Sequence, residues 1–333
     1  MSIANRIGLR VAAAAVATGA IAAGGLAVAG SAGASTVAAS SQSPVSYRFQ
    51  TLDNAKDLTF NQLLGINNHG LIAGYFGSGA AGHPNQGYLL FPGYGQHNYR
   101  NENFPGSVQT QVTGLNDQGT TVGFWSNANN ANLSNANFGF YSLDGRHFRT
   151  VDFPTGNNAT PPVDQLLGVN DGNVAVGFYT DSQGSSHGYT YSIGHNRFTT
   201  VTVPGAPGLS LTAAGINNDG DVTGFYTNAA GVTNGFLRYH GQFRTLSVPG
   251  ASATQALGVN DQDEVVGVYT VGTGSTATMH GFTWTPGHGF QTVDDPHGIG
   301  TTTVNGVNDH GQLVGFYTDA AGNTDGFLAG PLG

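Results

Sequence analysis

One phrase, Gly-x-Asn followed by Asn or Asp, occurs six times in the 333 residues and restricts the chain to a repeat architecture. The copies begin at Gly65, Gly114, Gly168, Gly215, Gly258 and Gly306, spaced by 49, 54, 47, 43 and 48 residues. Nine residues after each stands another glycine: Gly74, Gly123, Gly177, Gly224, Gly267 and Gly315. A third phrase, Gly followed by Phe or Tyr, comes at Gly87, Gly139, Gly188, Gly235, Gly281 and Gly326. A fourth segment alternates, as in Phe148-Arg149-Thr150-Val151 and Phe243-Arg244-Thr245-Leu246. Each phrase is short, rich in Val, Thr, Phe and Tyr, and bounded by Gly, Asn, Asp or Pro, which reads as a strand. The Asn-Asp-x-Gly step between the first two is a tight turn, its side chains capping the backbone.

Four strands per unit in six units predict an all-β fold, a six-bladed β-propeller of four-stranded blades. The sixth unit stops after its third strand, at Gly326-Phe327-Leu328, and its missing strand matches Tyr47-Arg48-Phe49-Gln50-Thr51-Leu52-Asp53. The N-terminal strand is therefore expected to complete the last blade and close the ring, removing exposed edges. An open solenoid also shows periodic glycines, but needs no displaced strand. The aromatics after the second- and third-strand glycines are expected in the core, each blade's rings against its neighbour's glycine strips.

Arg6 and Arg10 precede an uncharged Ala/Gly/Val run, Val11 to Gly30, ending in Ala32-Gly33-Ala34. The run is long enough to span a bilayer, but the small residues after it suit signal cleavage. The expected organisation is a signal peptide at 1–34, a flexible linker at 35–45 and the six repeats at 46–333. The product would be secreted, with no permanent membrane anchor, and monomeric. With 0 Cys, disulfides, cysteine-bound metal and thiol catalysis are excluded. A net charge of -9 with a single lysine, Lys56, leaves no cationic footprint for nucleic acid.

The phrases resemble the bacterial extracellular HAF repeats, named for a His-Ala-Phe motif. The resemblance covers residues 46–333 and rests on Gly-x-Asn-[Asn/Asp]-x-Gly, on the x-Val-x-Gly-[Phe/Tyr]-Tyr that follows, and on His187-Gly188-Tyr189 and His280-Gly281-Phe282. Gly stands for the family's Ala, and the His is replaced by Gln86, Phe138, Asn234 and Asp325 in the other copies. The resemblance implies secretion and a repeat fold; it implies no defined reaction and supplies no catalytic residues.

Comparing the units with one another locates variation. The first-to-second interval never changes, whereas the second-to-third glycine intervals are 13, 16, 11, 11, 14 and 11. The insertions, including Asn127–Asn137, and the long loop Gly156–Val163 fall on one face, where loops can carry function. Three residues before each Gly-x-Asn stand Gln62, Gln111, Gln165, Thr212, Gln255 and Thr303. Two residues after the second-strand glycines stand Phe76, Trp125, Tyr179, Tyr226, Tyr269 and Tyr317. Hairpin arithmetic puts the two sets opposite each other to within one residue. Amides beside aromatic faces suit sugar rings, and equally pair with each other.

Among the usual catalytic signatures there is no His-Glu-x-x-His and no phosphate loop. Off-pattern acids are Asp294 and Asp295, followed by His297, and Asp164 at the start of an inner strand. Paired carboxylates at a channel mouth suit glycoside cleavage. No metal and no cofactor is expected. The leading expectation is a secreted, non-catalytic propeller binding an extracellular ligand, a glycan or cell-wall polymer, on its variable face. Alternatives are a carbohydrate-active hydrolase or lyase, and a wall-associated structural or interaction protein.

Overall fold

A computed structural model describes residues 45–127, 136–156 and 158–332. It forms six four-stranded antiparallel sheets, and the helical elements among the described residues are two 3-10 turns, Gln96–Asn98 and Gly274–Thr276. Blades 1 to 5 use consecutive strands within residues 61–101, 109–151, 164–201, 211–246 and 253–293. Blade 6 takes Thr303–Val307, Leu313–Thr318 and Thr324–Pro331, and its outer edge is Tyr47–Thr51 from the other end of the chain. There Tyr47 stands opposite Pro331 and Thr51 opposite Phe327, antiparallel. The fold is a six-bladed propeller closed by its first strand, as the displaced repeat predicts. The expected signal peptide and nearly all of the expected linker lie outside the described residues, as do 128–135 of the Asn-rich insertion. No helix among the described residues is long and apolar enough to cross a membrane.

The Asn-Asp turns hold the ring together as well as reversing the chain. Within a turn, Asn67 Oδ1 accepts the N–H groups of His69 and Leu71. Its Nδ2 donates to the carbonyl of Asn116 in the next blade, and the relay continues through Asn116, Asn170, Asn217, Asn260 and Asn308 back to Asn67, at 2.9–3.2 Å. A second closed circuit runs through the following residue: the N–H groups of Asn68, Asp117, Asp171, Asn218, Asp261 and Asp309 each donate to the next blade's side-chain oxygen at 2.8–2.9 Å. The asparagines of the first circuit are buried and satisfied across blades, so each turn is tied to its neighbour as well as closed on itself.

Each inner strand bulges one residue before its Gly-x-Asn glycine, at Leu64, Thr113, Leu167, Ala214, Leu257 and Asn305. The six bulged residues surround an axial space of only about 30 Å³. Beside them the glycines meet around the axis: a Cβ on Gly114 would lie 3.0 Å from Gly168 Cα, and one on Gly215 3.0 Å from Gly258 Cα. Any side chain there would push the inner strands apart.

The expected core aromatics are buried, Tyr75, Tyr88, Phe140, Phe236, Phe282 and Phe327 among them. Their packing differs from expectation. Gly123 pairs directly with Phe140, so ring and glycine share a face of the same blade, and a Cβ on Gly123 would lie 2.9 Å from that ring. Blades 4, 5 and 6 repeat this with Phe236 over Gly224, Phe282 over Gly267 and Phe327 over Gly315. The third-strand glycines are the ones that face a neighbouring blade, and they admit aliphatic side chains: Leu211 against Gly188, Val304 against Gly281 and Leu63 against Gly326.

Candidate functional site

The bulge decides where the glutamines and aromatics go. It shifts the inner hairpin by one residue, so Gln62 stands opposite Tyr75, Gln111 opposite Phe124, Gln165 opposite Phe178 and Gln255 opposite Val268. Phe76, Trp125, Tyr179, Tyr226 and Tyr269 instead face Asn61, Thr110, Asp164, Leu211 and Thr254. Because neighbours along a strand point to opposite sides, the two sets lie on opposite blade faces and make no joint rim. Gln62, Gln111 and Gln165 are buried, and Gln62 accepts a hydrogen bond from Tyr75 at 2.8 Å. Tyr226, Tyr269 and Tyr317 share hydrogen bonds with outer-strand hydroxyls of Thr245, Thr292 and Thr51. Trp125 stacks on Phe104 at 4.3 Å, and Tyr179 on Phe153 at 4.5 Å.

The acidic residues are likewise separated. Asp164 is fully buried, accepts the Phe153 N–H and the Tyr189 hydroxyl, and lies against Gly139 of blade 2. Its position recurs: Asn61, Thr110, Thr254 and Thr302 accept the N–H groups of Asn54, Phe104, Val248 and Asp295 in the same way. Asp164 is therefore one copy of an acceptor that anchors five of the six interblade loops, Leu211 holding the position in blade 4, and it does not face the channel. Asp294 pairs with His280 at 2.7 Å in blade 5, while Asp295 accepts from the His297 N–H and ring within its own loop. Nothing brings Asp164 and Asp295 together. Among the described residues there is no group of three or more His, Asp or Glu side chains that could hold a metal ion.

Burial lifts the Asp164 carboxyl to about 7, against the hydrogen bonds from Tyr189 and Phe153 that favour its charged form. The folded chain thus holds this proton more tightly than the unfolded chain, and stability falls as pH rises from about 4 to about 7. Between pH 8 and pH 5 the group contributes about 2–3 kcal/mol, on the order of 5 °C in Tm. Asp164→Asn keeps an acceptor for Phe153 and removes the titration. The wild-type minus variant Tm difference should grow by that amount on acidification; a difference independent of pH would contradict this.

The loop position anchored in this way also reveals a site. In blades 2 and 3 the anchored residue is Phe104 or Phe153. Phe104 sits among Trp125, Phe140 and Phe148, with centroids 4.3–6.0 Å away, and Phe153 among Tyr179, Tyr189 and Phe198, at 4.5–5.3 Å. Each ring plugs the space between its blade's second, third and outer strands. Blades 4 and 5 use Val203 and Val248. In blade 1 the plug is Asn54, and a cavity of about 250 Å³ opens, walled by Phe76, Tyr88 and Tyr99 and rimmed by Lys56, Gln96 and Arg100. It lies at the seam where the strand closing blade 6 passes into blade 1.

A second departure coincides with the first. At the wall positions most other blades carry Phe: Phe140 with Phe148, Phe236 with Phe243 and Phe282 with Phe290. Tyr189 in blade 3 is a tyrosine, but its hydroxyl is bonded to Asp164. Blade 1 carries tyrosine at both positions, Tyr88 and Tyr99, and both hydroxyls are buried without a hydrogen-bond partner. Burial first pushes both phenols upward, followed by Tyr99 and Asp53 for Tyr88 and by Asp53 for Tyr99, so each remains a donor. Buried phenols are normally paired, and these two belong to residues that wall the cavity. The loop over the cavity is fixed by Gln96, which accepts the Ala55 N–H at 2.9 Å and donates to the Asp53 carbonyl at 2.7 Å. Sequence reasoning followed insertions and missed this substitution, although aligning Asn54 with the apolar Phe104, Phe153, Val203 and Val248 exposes it; blade 6 carries the other polar residue of the set, Asp295.

No family model and no curated protein sequence matches the chain. Among solved structures, AofleA from Arthrobotrys oligospora is similar at a TM-score of 0.51 and 14% identity, over 86% of this chain and 90% of that one. An Aleuria aurantia lectin mutant in complex with Fucα1-6GlcNAc gives 0.46 and 13%, over 81% and 91%. An ulvan lyase of polysaccharide lyase family 25 gives 0.43 and 12%, over 80% and 77%. The likeness to AofleA is one of fold.

Proposed function

We propose that this is a secreted, HAF-type propeller that acts as a non-catalytic glycan-binding module, taking a sugar ring into the seam cavity of blade 1. The observation that carries this is the exchange of an aromatic plug for Asn54 above two unpartnered, buried tyrosine hydroxyls. Aromatic walls supply faces for the C–H groups of a pyranose, and the phenols and amides supply hydrogen bonds for its hydroxyls. The volume is at the small end of ligand pockets, which suits one ring of a polymer better than an extended oligomer. The axial spaces lined by the turns and inner strands, about 80 and 110 Å³, are walled by blade-locking residues and leave less room. A binding module also fits the tying of Asp164, Asp294 and Asp295 into separate local hydrogen bonds.

Asn54→Phe tests this by restoring the plug of blades 2 and 3. On a panel of immobilised polysaccharides, the wild-type chain should be retained by at least one polymer. The variant should lose that affinity by roughly a hundredfold, since an occluded site forfeits its contacts outright. Its Tm should be unchanged or higher because the cavity is filled. Equal retention of both proteins would remove the seam cavity as the binding site.

A further inference from the structure

The seam cavity carries a third departure, in charge. The loop residue two positions after the plug is Gly106, Thr155, Gly205, Gly250 or His297 in the other copies; at the seam it is Lys56, the chain's single lysine. Its backbone N–H is held by Asn54 Oδ1 at 3.1 Å, so the plug residue itself fixes where the lysine stands. Arg100, on the outer strand, reaches the same rim. Its guanidinium lies 4.2 Å over the Phe91 ring, which occupies one face of the group and leaves its N–H edges for acceptors in the plane. Among the described residues every ion pair is formed by a histidine with an aspartate, and neither Lys56 nor Arg100 takes part in one. Two unpaired cations on one small cavity are conspicuous in a chain of net charge -9. The acids nearest in sequence are engaged elsewhere: Asp57 accepts from Thr59 and pairs with His83, Glu102 accepts from Thr121, and Asp53 has one oxygen on the Gly326 N–H while burial lifts its carboxyl to about 6.

We infer that the seam cavity selects sugars carrying an anionic substituent, a carboxylate or a sulfate ester, held by Lys56 and Arg100 while the ring lies against Phe76, Tyr88 and Tyr99. This rests on the glycan-binding reading. A bidentate Arg contact and a Lys point charge recognise the two substituents alike. Outside the rim, the chain's net negative charge repels anions, so recognition has to come from close contacts within the cavity.

The test uses matched polymers: polygalacturonate, the same backbone as its methyl ester, and a sulfated galactan. Wild-type chain should bind the ester at least tenfold more weakly than the acid. Raising NaCl from 50 to 300 mM should weaken acid binding and leave ester binding nearly constant. Lys56→Gln and Arg100→Gln should each cost about tenfold on the acid, the scale of one charge-assisted hydrogen bond, and little on the ester. The sulfated arm tells which anion is preferred. Equal binding of acid and ester, with Asn54→Phe abolishing both, overturns the charge inference and leaves the site standing. Acid binding that survives Asn54→Phe removes the site itself. Failure of the wild-type chain to bind any charged polymer also overturns the inference.

Discussion

Deleting residues 45–53 should lower Tm by more than about 10 °C and drive the chain into oligomers. The segment supplies the outer strand of blade 6, paired along its length with Thr324–Pro331. Phe49 packs edge-on against the fully buried Phe327 with centroids 5.5 Å apart, Tyr47 joins the same cluster, and Leu52 is buried in the core shared with blade 1. Losing three such side chains forfeits about 1.5–3 kcal/mol each, and roughly 2 °C of Tm goes with each kcal/mol in a chain of this size. The deletion also uncovers a strand edge over an apolar face, which invites pairing between copies. A synthetic peptide of residues 45–53 added in excess should restore much of the lost stability. An unchanged Tm in the deleted chain would show that the ring closes without its first strand.

The second large effect is expected from a single methyl group. In Gly177→Ala the new Cβ would stand 2.0 Å from the Gln165 carbonyl oxygen, and its equivalents Gly123, Gly224, Gly267 and Gly315 have the same 2.0 Å approach. The bulge in the inner strand thrusts that carbonyl toward the second strand, so backbone rather than a side chain has to yield. Overpacking of an ordinary core costs about 1–3 kcal/mol; here the cost should exceed that range, with a Tm loss on the order of 10 °C or failure to fold. Gly194→Ala is the control, because its Cβ would meet nothing within 4 Å, and surface changes of this kind stay within about 0.5 kcal/mol. Similar thermal stabilities for the two variants would show that the bulge relaxes at little cost.

The blade count, the strand boundaries and the closing strand were legible because glycine and asparagine recur where geometry permits little else. The bulge was not. Nine residues separate Gly168 from Gly177 in either a regular or a bulged hairpin, but the extra residue at Leu167 puts Gln165 opposite Phe178 instead of Tyr179. A slip of one residue exchanges faces, and that alone undoes the expected rim of Gln62, Gln111, Gln165 and Gln255 beside the tyrosines. Asp164 looked exceptional because its equivalents are Asn, Thr or Leu; the structure shows that the polar ones share one task, accepting a loop N–H, which is invisible without the fold. The seam cavity was overlooked for the opposite reason. Asn54 changes no loop length, and its effect depends on Phe76, Tyr88 and Tyr99, three strands contributing one ring each.

The asparagine circuits have a consequence for symmetry. Every link donates in the same sense, from one blade to the next, so the contact is head-to-tail like that between subunits of a cyclic oligomer. The six repeats behave as six tethered protomers of one ring, and no interblade boundary is privileged by this bonding. The chain opens inside blade 6, between its third and outer strands, and an interblade loop offers another opening that the circuits tolerate. New termini placed in the Val248–Ser252 loop, with the old ends joined, should leave both circuits intact.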